Sequence, residues 1–154
     1  MAIVARDIMS TDVFVLHPDD DIPYAAKSLV ERGIGGAPVI DDDGKLIGLV
    51  TEGDLIIQDA TPHYPTYIRL LDSFITLGKR HFEEVLKKVT AVKVIDLMTK
   101  EVVTALENTT VEELATKMHD LNISRIPIIN EHGRPVGLVT KTDIVRSMAA
   151  SWGR

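Results

Sequence analysis

With 154 residues, 45 % apolar and 26 % charged, the chain has the composition of an ordinary globular protein and is long enough to bury a core without disulfide or metal staples. It contains no cysteine, which excludes disulfides, thiolate catalysis and Cys-ligated zinc. A net charge of −6, with lysines and arginines scattered rather than striped, argues against a nucleic-acid partner.

Arg6 and Asp7 interrupt the opening segment before an apolar block of signal-peptide length can form, and no uncharged apolar run reaches the roughly 18 residues of a membrane span. A cytoplasmic location and no membrane partner are therefore expected. After Asp7-Ile8-Met9-Ser10, the β-branched stretch Val13-Phe14-Val15 predicts a first strand. Ile22, Ala25, Ala26, Leu29 and Val30 fall on one face at helical spacing, and Pro23 lies early enough for a first turn. Two strands follow, Pro38-Val39-Ile40 and Lys45 to Val50, around Asp41-Asp42-Asp43-Gly44. Gly44 is expected to supply the positive φ of that turn. The three aspartates read as a solvated turn, since they lack the spaced ligands and terminal glutamate of a calcium loop. Thr51-Glu52-Gly53-Asp54 then leads into a closing helix, predicted from Asp54.

Residues 58–92 carry two further apolar stripes, Ile68, Leu71 and Ile75, then Phe82, Val85, Leu86 and Val89, broken at Gly78. They predict an inserted helical hairpin, too apolar for a flexible tether. Beyond it the first pattern returns. A shift of 89 residues aligns Asp7–Ile56 with Asp96–Val145 without a gap, with 13 identities in 50 positions. They include Met9/Met98, Pro38/Pro127 and Gly44/Gly133, and Gly48-Leu49-Val50-Thr51 recurs as Gly137-Leu138-Val139-Thr140. In this second copy Val102-Val103-Thr104 predicts the strand, Val111, Leu114, Ala115 and Met118 the helical stripe, and Thr110-x-x-Glu113 a capping box. The boundaries expected are 1–57 for the first motif, 58–92 for the insert and 93–154 for the second. One copy alone would expose the apolar faces of its sheet and helices, so the pair is expected to bury them together around a pseudo-twofold axis.

Thr51-x-x-Asp54 and Thr140-x-x-Asp143 both stand where a strand hands over to a helix. First-turn amides attract anions, a carboxylate accepts bonds from the two hydroxyls of a ribose, and a threonine hydroxyl can reach a phosphate. Leu49-Val50 and Leu138-Val139 offer apolar surface for a flat base. The alternative is purely local, threonine as N-cap with the aspartate three residues on returning to the cap amide. Both roles are compatible.

The duplicated Asp-Ile-Met-Ser…Pro-Val-Ile-Asp-x-x-Gly…Gly-Leu-Val-Thr-x-x-Asp resembles the CBS domain family, over about two thirds of the chain. The resemblance implies an α/β fold of two tandem β-α-β-β-α motifs forming one module that often dimerises. It also implies adenosine ligands (AMP, ADP, ATP or S-adenosylmethionine) in two clefts. Carried over residue by residue, one cleft has Thr51, Asp54, Leu49, Ile123, Ser124 and Arg125. The other has Thr140, Thr142, Asp143, Leu138, Ile34 and Gly35. Gly53 departs from the family's hydroxyl, and Gly35-Gly36 lacks the cation found at Ser124-Arg125, so unequal clefts are expected. Arg125 has a plainer alternative, a surface salt bridge.

None of the five histidines has metal-ligand spacing, and no P-loop, dinucleotide fingerprint or nucleophile elbow is present. No catalytic residues, metal or required cofactor is expected. The function expected is a non-enzymatic regulatory module that binds an adenine nucleotide, as a homodimer. The alternative is an interaction scaffold that acts on a partner protein without a ligand.

Overall fold

The computed structural model describes residues 2–55 and 92–153. The insert expected over 58–92 falls, but for Val92, outside the described residues. In chain order the elements are α1 (Ala5–Ile8), α2 (Ile22–Arg32), β1 (Gly36–Ile40), β2 (Leu46–Thr51), α3 (Glu52–Leu55), α4 (Val94–Leu97), β3 (Ala105–Leu106), α5 (Val111–Leu121), β4 (Arg125–Ile129), β5 (Pro135–Thr140) and α6 (Lys141–Trp152). The fold is mixed α/β. Strands β1 and β2 form a two-stranded sheet; β3, β4 and β5 form a three-stranded one in that order, β3 parallel and β5 antiparallel to β4. Among the described residues no helix is long and apolar enough to cross a membrane.

Local chemistry explains the element ends. Asp21 accepts the Tyr24 amide at 2.8 Å to start α2, with proline in the first turn. Thr110 and Glu113 form the capping box of α5, at 3.2 and 3.0 Å. Both helices end on a left-handed residue, Gly33 at φ 63° and Asn122 at φ 52°. Asparagine is one of the few side chains that tolerate that region. The hairpin turns reach positive φ at Gly44 and Gly133, as expected.

Three expectations need correction. No strand forms over 13–15; the nearest pairing is an isolated bridge just beyond, Leu16 with Val39. The second copy's leading strand lies at Ala105–Leu106 rather than 102–104. Both shift toward the residues whose side chains are buried, Leu16 and Ala105. The closing helices start at Glu52 and Lys141, two residues before the aspartates, because the threonine is the cap and the aspartate its third helical residue.

The chain divides into two compact units. One comprises Met1–Phe14, Ile40–Ile47 and Glu101–Arg154, the other Val15–Val39 and Gly48–Lys100. They are called here the Asp143 unit and the Asp54 unit. Neither is a contiguous repeat, because each takes its leading turn from the other copy. In the Asp143 unit α1 lies against second-copy residues: the Ala5 amide donates to Thr109 O at 2.8 Å, and Ser10 and Leu138 exchange backbone bonds at 2.9 and 3.0 Å. In the Asp54 unit Thr99 and Leu49 do the same at 2.8 and 3.0 Å, beside α4.

This exchange explains two repeated identities that secondary structure alone leaves idle. A Cβ at Gly137 would collide with Met9, reaching Cγ at 2.8 Å, and one at Gly48 would collide with Met98, reaching Cγ at 2.9 Å. Each methionine therefore lies over the glycine of the other copy's last strand. The Asp143 unit is cored by Ala5, Ala105, Val111, Leu114, Met118, Ile126, Ile128, Val139 and Ile144. In the Asp54 unit Leu16, Ile22, Val39, Val50 and Val94 are almost fully buried.

Candidate functional site

The two Thr-x-x-Asp starts are built alike. In the Asp143 unit the Thr140 amide and hydroxyl donate to Asp143 Oδ2 at 2.8 and 3.0 Å, and the Asp143 amide donates to Thr140 Oγ1 at 3.3 Å. In the Asp54 unit the matching distances from Thr51 are 2.9, 3.2 and 3.3 Å. The capping role is thus realised in both copies. It occupies Oδ2 of each carboxylate and leaves Oδ1 outside the cap.

The same bonds redefine what the threonines can offer a ligand. A hydroxyl has one hydrogen, and Thr140 and Thr51 both spend it on the aspartate, so neither can donate to a phosphate while the cap holds. The first-turn amides are mostly committed too. Lys141 N donates to Ser124 O at 3.0 Å and Glu52 N to Gly35 O at 2.9 Å, while the amides of Asp143 and Asp54 serve the caps. What remains in α6 is the Thr142 amide with its exposed hydroxyl. In α3 only the Gly53 amide remains, without a side chain.

The aspartates differ in what their second oxygen meets. Asp54 Oδ1 accepts the Thr99 hydroxyl at 3.2 Å. Asp143 Oδ1 faces Arg146 Nη1 at 3.6 Å. Neither Thr99 nor Arg146 was singled out from the sequence, although both left a signal. Thr99 matches Ser10 immediately after the repeated methionine, and Arg146 lies one helical turn beyond Asp143.

The remaining expected residues separate by unit. Ile34, Gly35, Leu49, Thr51 and Asp54 are together in the Asp54 unit; Ile123, Ser124, Arg125, Leu138, Thr140, Thr142 and Asp143 are together in the Asp143 unit. Arg125 is the Cα partner of Thr140 across β4 and β5. Directly opposed residues of an antiparallel pair share a sheet face. Arg125 is half-buried and forms no ion pair among the described residues. Val50 and Val139, expected to help face a base, are fully buried in the core. Leu49 is nearly buried as well, which leaves half-buried Leu138 as the apolar neighbour nearest a helix start. Among the described residues no cluster of His, Cys, Asp or Glu could hold a metal.

Known proteins resemble this chain in sequence and in fold. The chain is 30 % identical over 151 residues to an uncharacterised protein of Methanocaldococcus jannaschii, covering 93 % of this chain and 89 % of that one. Its structure matches the CBS domain pair of protein MJ0100 in complex with 5′-methylthioadenosine and S-adenosyl-L-methionine, at TM-score 0.72 and 26 % identity over 98 % and 99 % of the two chains. It also matches CBSX2 in complex with AMP, at TM-score 0.73 and 25 % identity over 96 % and 97 %. The family model of the CBS domain fits twice, over residues 5–59 and 94–150, the two stretches that each end in a capped Thr-x-x-Asp helix. On that double match and the shared architecture, the chain belongs to the CBS domain family.

Proposed function

We infer that this protein is a non-enzymatic regulatory module whose ligand is an adenine nucleotide or a related adenosine compound. The observation that carries the reading is the divided use of each aspartate. One oxygen closes the helix cap and fixes the carboxylate, while the other lies outside the cap at a strand-to-helix junction; that of Asp54 accepts the Thr99 hydroxyl, and that of Asp143 accepts no hydrogen bond among the described residues, which suits it to sugar hydroxyls. Two solved relatives bind molecules of this class, AMP in one and S-adenosyl-L-methionine with 5′-methylthioadenosine in the other. Thr142 adds an exposed hydroxyl beside Asp143, where Gly53 adds none beside Asp54; Arg125, expected from the resemblance to serve the cleft of Asp54, forms no ion pair among the described residues. The Asp143 unit is therefore the stronger nucleotide site of the two.

Calorimetry and thermal melting of ligand-free protein with adenosine, AMP, ATP and S-adenosylmethionine test this. A ligand at a hundred times its Kd is expected to stabilise the fold by about 2.7 kcal/mol. Flat melting curves with all four compounds would replace the reading with that of an interaction scaffold. Self-association belongs to the same proposal, supported by the face of α6 on which Val145 and Trp152 are 62 % and 75 % exposed and Met148 lies between them.

A further inference from the structure

Asp143 and Arg146 are one turn apart on α6 and line a single groove of about 760 Å3 with Asp7, Ile8 and Ser147, all within the Asp143 unit. Because Oδ2 is taken by Thr140, Asp143 Oδ1 is the acceptor left for a sugar hydroxyl. Arg146 rests against that atom at 3.6 Å, beyond hydrogen-bond length, with its side chain 75 % exposed. So exposed a pair holds the guanidinium only weakly. Among the described residues Asp143 is its one ionic partner. In the Asp54 unit the corresponding oxygen meets a neutral hydroxyl, and the residue that matches Arg146 in the first repeat is Ile57.

The helix start cannot neutralise a phosphate by itself, since only one first-turn amide, that of Thr142, is uncommitted. A negative 5′ substituent therefore needs a side-chain cation. Arg146 offers a forked set of N–H donors suited to phosphate, and it stands at the sugar-accepting oxygen. Among the described residues Arg125, opposite Thr140, forms no hydrogen bond or ion pair with that carboxylate.

We propose that Arg146 is a specificity-determining residue of the Asp143 site: it rests on the sugar-accepting carboxylate, and a bound nucleotide draws it onto the 5′ phosphate. The proposal rests on the nucleotide reading above and narrows it. The site selects nucleosides with an anionic 5′ group over uncharged adenosine, and over S-adenosylmethionine, whose sulfonium the guanidinium repels.

The test is calorimetric titration of the full chain, wild type, Arg146→Gln and Arg125→Ala, with adenosine, AMP and S-adenosylmethionine. Wild type is expected to prefer AMP. Arg146→Gln should weaken AMP roughly tenfold or more, the loss of a charge-assisted bond. It should leave adenosine within about twofold, as expected for an exposed pair, and tighten S-adenosylmethionine. An AMP-to-adenosine ratio that is unchanged in Arg146→Gln, or that shifts only in Arg125→Ala, overturns the proposal while nucleoside binding stands. A wild-type chain that binds none of the three overturns the nucleotide reading itself, and this proposal with it.

Discussion

At the scale of single residues, the most constrained positions are the glycines beneath the methionines. Gly137 has no left-handed backbone to explain it; what it lacks is room for a side chain. An added Cβ would meet Met9 Cγ at 2.8 Å and Cβ at 3.1 Å as well as the sulfur, distances that force the methionine or the strand to move. Gly137→Ala is expected to cost about 1–3 kcal/mol, the usual range for overpacking. It would be read as a lower urea midpoint at constant m. Adding Met9→Ala should recover part of the loss, because the two changes share one contact and do not add. Wild-type stability in the single mutant would show that the methionine is not held over the strand. Gly53 presents the opposite case, since a Cβ there meets only Thr51 Oγ1, at 3.4 Å, so space does not require a glycine at that position.

At the scale of elements, the leading turns α1 and α4 are four residues each, far below the length at which a helix sustains itself in water. Asp7 and Asp96 each return to the amide three residues back at 3.0 Å, but such a cap is worth only about 1 kcal/mol. What holds these turns is tertiary: the backbone bridges to Leu138 and Leu49, and the methionines. The hairpin turns behave likewise. Within the Asp143 unit the Leu46 amide donates to Gly133 O at 2.9 Å, and Arg134 Nε donates to Asp43 O at 3.0 Å, so the tip of the first hairpin is bonded to that of the second. Arg134 also lies against Gly44, its Nε at 3.6 Å from where a Cβ would be. Arg134→Ala removes one exposed hydrogen bond and this packing, for an expected loss of about 0.5–1.5 kcal/mol. Amide exchange would report it as faster exchange at Leu46, with the amides of β4 unaffected; equal protection in both proteins would dismiss the tip contact.

At the scale of the whole molecule, the exposed face of α6 bears on assembly. The helix buries only Ile144 while Val145 and Trp152 are largely exposed, an arrangement that leaves apolar surface for a second copy to cover. Light scattering is expected to return twice the 17.0 kDa of the chain, and Trp152→Ser to shift the protein toward that single-chain mass. A monomer at every accessible concentration would reject self-association. Much of the fold and of the candidate site was legible beforehand, and the reason is physical. Helix caps, left-handed turn glycines and apolar stripes are interactions over three or four residues, so Thr110-x-x-Glu113, Gly44, Gly133 and both Thr-x-x-Asp starts declare themselves in the spacing of the chain, and duplication makes them unmistakable. Tertiary structure alone decided the rest. Which copy's methionine covers which glycine, whether Thr99 or Arg146 meets the second oxygen of an aspartate, and whether Val50 and Val139 face a ligand or the core all depend on residues tens of positions apart or on the direction a side chain takes once packed. Spacing along the chain encodes the short-range bonds; only the folded packing assigns a neighbour to each surface they leave open.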